Sequence, residues 1–292
     1  MTIIKLGLIG DNILSSSAPS FHIRAAQQQG IDLTYELILP KSRGMDFRAA
    51  LAYAKEAGLR GVNVTLPYKE VAFRHIDSAA PAIRQLGAIN TICFDGDTMS
   101  GFNTDFSGFL LCYRQARGDR PAGDVLLVGA GGVGRSVAFG LLQLGAHKIR
   151  LLDKTPDRAD QLAAELNSVI AGIAEPAGSD LPSHLDGVLN CSPAGMYGYD
   201  LLPLDETQFP DSFDWAFDAV YQPVETGFKL LATARRAKFI SGFELFIHQG
   251  VDAFRIFTGL EVNDLEMIRL ALFDTVHHKQ HDETQHGRLD RH

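Results

Sequence analysis

The 292-residue chain has few of the residues that mark several large classes of protein. Its three cysteines, Cys93, Cys112 and Cys191, have neither an even count nor a C-x-x-C spacing, so neither a disulfide framework nor a zinc site is indicated. We expect them to be small buried hydrophobic residues, and no metal site is predicted. No uninterrupted apolar run approaches the ~18 residues of a membrane-spanning helix, and no basic leader precedes the first predicted strand. A cytoplasmic protein with no membrane partner is therefore expected.

Positive charge is also scarce. The chain carries 27 lysines and arginines against 35 aspartates and glutamates, for a net charge of -8 at pH 7. That balance argues against nucleic acid or an anionic membrane as the main partner. Hydrophobic residues make up 46% and charged residues 21%, which is typical of a globular chain. Because single hydrophobic cores seldom grow beyond ~250 residues, this length predicts two domains.

One span, residues 124–153, predicts a strand, a glycine-rich turn, an apolar helix and a second strand. Its first strand is the β-branched and leucine run 125–128, as expected of a strand buried on both faces of a parallel sheet. The turn has a G-x-G-x-x-G pattern, in which Gly129 makes the tight turn, Gly131 lets a pyrophosphate approach the backbone and Gly134 lets helix and strand pack closely. A glycine-rich turn of another α/β unit is the weaker alternative, so a dinucleotide is the predicted ligand.

The acid at the end of this span indicates which dinucleotide binds. Asp153 lies roughly 20 residues beyond the glycines, where it can accept a hydrogen bond from a ribose 2′-hydroxyl and would repel a 2′-phosphate. The sequence therefore favours NAD over NADP. Lys154 and Arg158 carry charge suited to a phosphate and keep NADP open, although a solvated helix entry is the plainer interpretation of both cations.

Polar side chains follow several other predicted strands. A hydroxyl-rich segment, residues 15–20, comes after the first strand, and two Asn-Thr pairs and an aspartate lie within residues 90–105. Alternating strands and helices predict an open α/β sheet, and such sheets bind ligands outside the carboxyl ends of their strands. Asn190, Ser192 and Tyr221 are therefore candidates for lining a cleft.

Seven ordered segments resemble the shikimate/quinate dehydrogenase family, and the resemblance covers nearly the whole chain up to about residue 275. They are GVNVTLPYK (61–69), GAINT (87–91), GFNTD (101–105), GAGGVGRS (129–136), NCSPAGM (190–196), DAVYQPVET (218–226) and SGFELFIHQG (241–250). Six of these motifs lie outside the glycine loop, which makes the resemblance far more specific than any single motif.

The resemblance implies that Lys69 and Asp105 are the catalytic pair. Oxidising a secondary alcohol needs a base for the hydroxyl proton, and the pKa of a lysine partly desolvated in a cleft can fall toward neutrality while a nearby aspartate raises it and fixes its position. Either residue alone would be interpreted as a surface lysine or a capping aspartate. The resemblance also implies substrate hydrogen bonds from Ser16, Thr65, Asn90, Tyr221 and Gln249. The predicted cofactor contacts are Gly129, Ala130, Gly131, Gly132, Val133, Gly134, Asp153, Lys154, Arg158, Cys191, Ser192 and Gly242.

The fold class that follows is α/β with two domains, an N-terminal open α/β substrate domain and a Rossmann-type doubly wound dinucleotide-binding domain. Residues 118–123 are the clearest linker. The predicted limits are 1–118 for the substrate domain, completed by C-terminal helices at 244–276, and 119–243 for the NAD-binding domain. Residues 277–292 form a polar, histidine-rich segment that is expected to be a solvated tail.

The chain departs from the family pattern in two places. The family carries Ser-x-Ser or Ser-x-Thr before a proline in the first loop, both hydroxyls serving the substrate carboxylate, and here Ser16 and Ala18 precede Pro19. One carboxylate donor is therefore missing. Family members that use NADP carry a segment similar to Asn-Arg-Thr at the end of the second cofactor strand. This chain has Asp153, Lys154 and Thr155 there, which agrees with NAD.

The leading prediction is an NAD-dependent oxidoreductase, acting as a monomer or homodimer on a ring hydroxyl or ketone of shikimate, quinate or a close analogue such as an amino-shikimate. Its partner is then a small cyclic hydroxy-carboxylate. A relative of glutamyl-tRNA reductase or methylene-tetrahydrofolate dehydrogenase would explain residues 124–153, but not Lys69, Asn90 and Asp105 in that order. A catalytically weak, dinucleotide-sensing regulator of the same fold is the alternative from another class.

Overall fold

A computed structural model describes residues 3–178 and 180–275 of the chain, and the predicted tail at 277–292 lies outside the described residues. The chain divides into two compact units. The first contains the chain up to Thr104 together with Ile247–Thr275, and the second contains Asp105–Phe246. Both divisions fall inside helices. The functional domain limits predicted from the sequence stay a prediction.

The first unit is built on a five-stranded sheet. Its strands are β1 (Ile4–Ile9), β2 (Leu33–Ile38), β3 (Gly61–Val64), β4 (Thr91–Asp95) and β5 (Thr98–Phe102), in the order β2-β1-β3-β4-β5. The first three strands are parallel, while β4 and β5 form an antiparallel hairpin against β3. Strand β3 is buried along its whole length although its third residue is Asn63, a polar side chain in a strand interior.

Helices cover this sheet and supply its core. They are α1 (Ala18–Gln28), α2 (Phe47–Glu56), α3 (Lys69–Phe73), α4 (Pro81–Leu86), the C-terminal part of α9 (Gly242–Thr258), and α10 over residues 265–275. Helix α2 begins at its capping residue Asp46, whose carboxylate accepts a hydrogen bond from the Ala49 N–H at 2.7 Å. Its apolar face packs on β1 and β3 in one cluster with Ile9, Val62 and Val64.

The second unit is a doubly wound parallel sheet of six strands. They are β6 (Gly123–Val128), β7 (Ala146–Leu152), β8 (Ala174–Pro176), β9 (His184–Asn190), β10 (Ser212–Asp218) and β11 (Lys238–Ser241), in the order β11-β10-β9-β6-β7-β8. Helices α6 (Gly132–Gln143), α7 (Pro156–Val169) and α8 (Gly227–Ala234) connect them, and α5 (Thr104–Arg117) precedes them. The order reverses between β6 and β9, which is the topological switch point where such sheets bind dinucleotides. The predicted fold class is confirmed.

Helix α5 begins at Thr104, so Asp105 lies in its first turn, where a carboxylate is stabilised by the helix dipole. The expectation that all three cysteines are buried needs correction: only Cys112 is buried, whereas Cys93, on β4, and Cys191, directly after β9, are half-buried. Within residues 3–178 and 180–275, no helix has both the length and the apolar character needed to cross a membrane.

Candidate active site

The glycine loop between β6 and α6 has no room for side chains at two positions and open space at a third. Gly129 has φ of +100° and a side chain there would lie 2.7 Å from the Ser192 nitrogen. A side chain at Gly134 would collide with the Gly129 carbonyl oxygen. At Gly131 the nearest atom to an added Cβ is Arg158 Nη1, at 4.0 Å. The loop is thus a cradle with free space at the end of β6, where helix N–H groups can receive a phosphate.

Asp153 lies directly beside this loop. One of its carboxylate oxygens accepts a hydrogen bond from the Ala130 N–H at 2.7 Å, and the other accepts from the Thr155 N–H at 2.8 Å. Each carboxylate oxygen keeps a second lone pair for a further donor. The half-buried carboxylate therefore places negative charge and acceptor capacity at the edge of the cradle.

The two cations near Asp153 have different surroundings. Lys154 Nζ lies 2.8 Å from an oxygen of Asp200, and this hydrogen-bonded ion pair raises the pKa of Lys154 and lowers that of Asp200. Both side chains are mostly exposed. The exposed Arg158, in the first turn of α7, points its guanidinium toward Gly131. A positive group therefore lies against the open part of the loop, while Lys154 has an acidic partner.

A buried polar network occupies the carboxyl ends of β9 and β10. Asp218 accepts hydrogen bonds from Asn190 Nδ2 at 3.0 Å, from the Val220 N–H at 3.0 Å and from the Thr226 hydroxyl at 2.6 Å. Asn190 Oδ1 in turn accepts from the Ser192 hydroxyl at 2.7 Å. Burial raises the pKa of Asp218 to about 6, against these hydrogen bonds, which lower it. The network fixes the loops that follow both strands.

The remaining predicted residues of the second unit lie around the same strand ends. Burial raises the pKa of the Cys191 thiol well above its ordinary value, so the thiol stays protonated. Gly242 begins α9, where an added side chain would lie 2.6 Å from the Asp218 carbonyl oxygen. The Tyr221 ring stacks on Phe246 with ring centres 4.8 Å apart. Asp105 is buried in the first turn of α5.

In the first unit, the Thr104 hydroxyl lies between two of the candidates, Asn90 and Gln249. Its Oδ1 accepts a hydrogen bond from the Thr104 N–H at 2.8 Å, and its Nδ2 donates to the Thr104 hydroxyl at 2.9 Å. The same hydroxyl lies 3.4 Å from Gln249 Oε1. Lys69 is buried at the start of α3, and its carbonyl accepts from the Ile89 N–H at 3.0 Å, immediately before Asn90.

Ser16 and Thr65 lie in the loops after β1 and β3. These loops are joined by a hydrogen bond from the Asp11 N–H to the Leu66 carbonyl at 3.2 Å. The Ser16 hydroxyl accepts from the Ala18 N–H at 3.3 Å, which closes a local turn before α1. The structure therefore places Ser16 and Thr65 in neighbouring loops, and within residues 3–178 and 180–275 neither side chain is hydrogen-bonded to Asn90.

Reasoning from the sequence gave no role to three polar residues that the structure places in this network: Asn63, Thr91 and Thr104. All three are buried and hydrogen-bonded in the same network as Asn90. A signal for Asn63 existed, because an amide in the middle of the buried run GVNV needs partners. Asp218 is a second omission, and its signal was an acid at the end of an otherwise apolar strand.

Comparison with known proteins places the chain in a family. Residues 8–92 match the family model described as the shikimate dehydrogenase substrate binding domain. Over 276 residues the chain is 36% identical to the quinate/shikimate dehydrogenase (NAD(+)) of Corynebacterium efficiens, covering 91% of this chain and 96% of that protein. The chain belongs to the shikimate/quinate dehydrogenase family.

Other members of the family differ in the cofactor they are named for. The shikimate dehydrogenase (NADP(+)) of an Arthrobacter species is 34% identical over 282 residues, covering 93% of this chain and 94% of that protein. The structure of quinate dehydrogenase from Corynebacterium glutamicum in complex with NAD is similar with a TM-score of 0.84 and 33% identity, covering 94% of this chain and 100% of that chain. The structure of shikimate 5-dehydrogenase from Thermus thermophilus in complex with NADP(H) and shikimate is similar with a TM-score of 0.76 and 32% identity. The match covers 92% of this chain and 98% of that chain.

Family membership decides between the alternatives considered from sequence. A glutamyl-tRNA reductase or methylene-tetrahydrofolate dehydrogenase is wrong as an identification, because the similarity to shikimate/quinate dehydrogenases extends over both units. The dinucleotide-sensing regulator gains no support, since these relatives are named as dehydrogenases.

Proposed function

We propose that this protein is an NAD-dependent oxidoreductase that transfers a hydride between nicotinamide and a ring hydroxyl or ketone of shikimate, quinate or a close analogue. The observation that carries the cofactor choice is the Asp153 carboxylate, hydrogen-bonded to Ala130 of the glycine loop at 2.7 Å. A fixed negative charge there accepts from ribose hydroxyls and opposes a 2′-phosphate. Relatives with quinate/shikimate activity in their names use NAD, whereas several shikimate dehydrogenases use NADP.

The residues present fit this cofactor. A strand-loop-helix turn with free space at Gly131 is the shape that receives a pyrophosphate, and Arg158 lies beside that space. Bound NAD supplies the hydride acceptor for alcohol oxidation. We propose that Ala130, Gly132 and Val133, which belong to the same glycine loop, contact the cofactor. Cys191, Ser192 and Gly242, at the carboxyl ends of neighbouring strands, complete the proposed cofactor contacts.

A side chain of the protein must accept the proton of the substrate hydroxyl. We propose that Lys69 accepts the proton of the reacting hydroxyl and that Asp105 orients and holds the charge formed in that step. Both side chains are buried, so each is shielded from bulk water and its charge interactions are strengthened. A protonated Lys69 would return the proton to the ketone in the reverse reaction.

The remaining polar candidates are proposed to bind the substrate. Asn90, Thr65, Tyr221 and Gln249 offer hydrogen bonds for ring hydroxyls, and Ser16 offers a hydroxyl for the carboxylate. The substrate domain is proposed to comprise residues 1–118 and 244–276, and the NAD-binding domain residues 119–243. We further propose a cytoplasmic monomer or homodimer, which sedimentation of the purified protein would distinguish.

The test is a matrix of cofactors and substrates. Purified protein is mixed with NAD or NADP and with shikimate, quinate or related ring carboxylates, and reduced nicotinamide is followed by absorbance. We expect reduction of NAD with at least one ring alcohol. Binding of NAD by calorimetry without turnover on any ring alcohol would instead indicate a sensor, and turnover with NADP alone would contradict the assignment of Asp153.

A further inference from the structure

The amide of Asn90 can adopt only one of its two orientations. The backbone N–H of Thr104 is a donor and never an acceptor, so the atom that it contacts at 2.8 Å must be the amide oxygen of Asn90. The Thr91 hydroxyl also donates to that oxygen, at 3.1 Å. The NH2 group is therefore on the opposite side, where one hydrogen contacts the Thr104 hydroxyl at 2.9 Å.

The amide of Asn63 also has a single orientation. The Asn90 backbone carbonyl can only accept, and it lies 3.4 Å from an amide atom of Asn63, which must be the nitrogen Nδ2. Nδ2 of Asn63 also donates to the Thr91 hydroxyl at 3.0 Å. Because that hydroxyl receives a hydrogen bond from Asn63, its own hydrogen is directed to Asn90. Residues 63 and 91 face each other in the β3–β4 register, which makes this contact part of the sheet.

The chain of hydrogen bonds starts at an aromatic side chain, Tyr35. The Tyr35 hydroxyl donates to Asn63 Oδ1 at 2.7 Å. The Tyr35 ring stacks on His22, with ring centres 5.1 Å apart. Burial lowers the pKa of His22 to about 3, against a side-chain hydrogen bond with Asn63 that raises it. Every hydrogen bond from Tyr35 through Asn63 and Thr91 to Asn90 therefore points the same way, and aligned bonds of this kind strengthen one another.

We propose that Asn63 and Thr91, supported by Tyr35, are positioning residues that hold Asn90 with its N–H toward the substrate, so that this subsite takes an oxygen acceptor and refuses an ammonium group. The proposal rests on the proposed function, since it assigns a chemical preference to the same site. Asn90 is 3% exposed, and among the described residues its second Nδ2 hydrogen has no acceptor. A ring hydroxyl or ketone oxygen can occupy that place.

The consequence for substrate choice follows from the charge of an amine. A ring ammonium has three donors and no acceptor, so it would face the N–H of Asn90 with a hydrogen against a hydrogen. Rotating Asn90 to offer its oxygen would break its bonds with the Thr104 N–H and the Thr91 hydroxyl together. An analogue with an ammonium group at this one ring position should therefore bind more weakly than the corresponding alcohol.

The test compares Thr91→Val with Thr91→Ser in the full chain. Valine keeps the shape and removes the hydroxyl, while serine restores it. For Thr91→Val we expect the KM and Kd of the best ring-alcohol substrate to rise about tenfold with kcat within about threefold, because uniform binding is lost. Thr91→Ser should return both values to within about threefold of the wild type. Unchanged melting temperatures across the pair would separate positioning from stability.

Amine analogues provide the second readout. The ring position that Asn90 contacts is found first, by measuring the Kd of each deoxy analogue with the wild type and with Asn90→Ala. At that position the loss of affinity from removing the hydroxyl and the loss from removing the amide will not add. The wild type should bind the amine at that position at least about tenfold more weakly than the alcohol, and Thr91→Val should narrow the ratio because the amide can then rotate. Equal binding of amine and alcohol by the wild type would overturn the proposal.

Failure of the proposal is distinct from failure of the proposed function. If the wild type reduces NAD with a ring alcohol but Thr91→Val has a wild-type Kd, only the positioning role is wrong. If no ring alcohol is oxidised or bound, the proposed function itself fails. Should Thr91→Val not fold, Tyr35→Phe removes a donor at the far end of the same chain. A smaller rise in Kd is expected from that variant, and no rise would again contradict the proposal.

Discussion

The carboxylate of Asp153 accepts a hydrogen bond from the backbone N–H of Ala130 at 2.7 Å, so the acid that follows β7 and the glycine loop that follows β6 are one structural unit. The position of the charge is therefore set before any cofactor binds. Cofactor preference should depend on this charge more than on the shape of the loop.

Replacing Asp153 by asparagine removes the negative charge and one of the two backbone hydrogen bonds. The asparagine oxygen can keep the hydrogen bond from Ala130, while the hydrogen bond from the Thr155 N–H and the negative charge that opposes a 2′-phosphate are lost. We expect the ratio of kcat/KM for NAD to that for NADP to fall by about tenfold or more. Asp157→Asn, an exposed change in the first turn of α7, is the control and should leave the ratio unchanged. A wild-type preference for NADP would instead implicate Arg158 and Lys154 as phosphate ligands.

Lys69→Ala should abolish turnover and leave the Kd for NAD within about threefold of the wild type. The physical reason is that Lys69 belongs to the first unit and is proposed to handle the substrate proton, so its loss affects the transition state. Single-turnover kinetics and calorimetry with NAD measure the two quantities. Lys55→Ala, which removes a half-buried lysine paired with Asp97, should turn over normally. Turnover in Lys69→Ala comparable to that of the wild type would remove Lys69 from the mechanism.

Asp105→Asn should reduce kcat strongly. Asparagine preserves the size of this buried side chain in the first turn of α5 but cannot stabilise a positive charge on a catalytic lysine. The measurement is kcat and KM for the same ring alcohol. A change confined to KM would show that Asp105 binds the substrate and has no part in proton transfer.

Ala18→Ser should lower the KM for shikimate about tenfold or more, with little change in kcat. Ala18 is buried at the start of α1, two residues beyond Ser16, and the serine would supply a second hydroxyl for the substrate carboxylate. A hydrogen bond to a charged group contributes about 1.5 to 3 kcal/mol, and the carboxylate is bound equally in the ground and transition states. Tight shikimate binding by the wild type would contradict the inference that a donor is missing.

Asp218 should make stability depend on pH between about 4 and 6. Burial raises its folded pKa to about 6 from the ordinary 3.8, so the folded state holds a proton that the unfolded state releases over this range. The contribution of this group to the free energy of unfolding therefore rises as pH falls from about 6 to about 4, by roughly 3 kcal/mol at most. Urea unfolding at several pH values measures the difference in the free energy of unfolding between the wild type and Asp218→Asn. If Asp218 titrates normally, this difference should not change over this pH range.

The sequence predicts best where signals are local. The run 125–128, the glycines after it and Asp153 specify strand, turn and strand end within one short span, and the structure has β6, α6 and β7 there. The hairpin of β4 and β5 has weaker signals, because its strands carry polar residues such as Ser100 and its stability comes from pairing with β3. Pairing between distant segments has no local signature.

The same limit applies to the site. Asn90 could be named from the motif that carries it, but the amide orientation depends on Thr104, and on Asn63 facing Thr91 across two strands. The sequence shows that Asn63 is a polar residue in an apolar run and leaves its partners undetermined. Asp218 is similar, because its raised pKa comes from burial and from Thr226 and Asn190, which lie in separate elements.

Substitutions in the glycine loop should divide into two classes that a growth assay would score alike. A side chain at Gly134 meets the Gly129 carbonyl oxygen, so cells carrying such an allele would contain little folded enzyme. A side chain at Gly131 has no atom nearer than 4.0 Å, so the allele would yield normal amounts of a protein whose cofactor site is filled. Chaperone overproduction or a stabilising second mutation could rescue the first class and never the second.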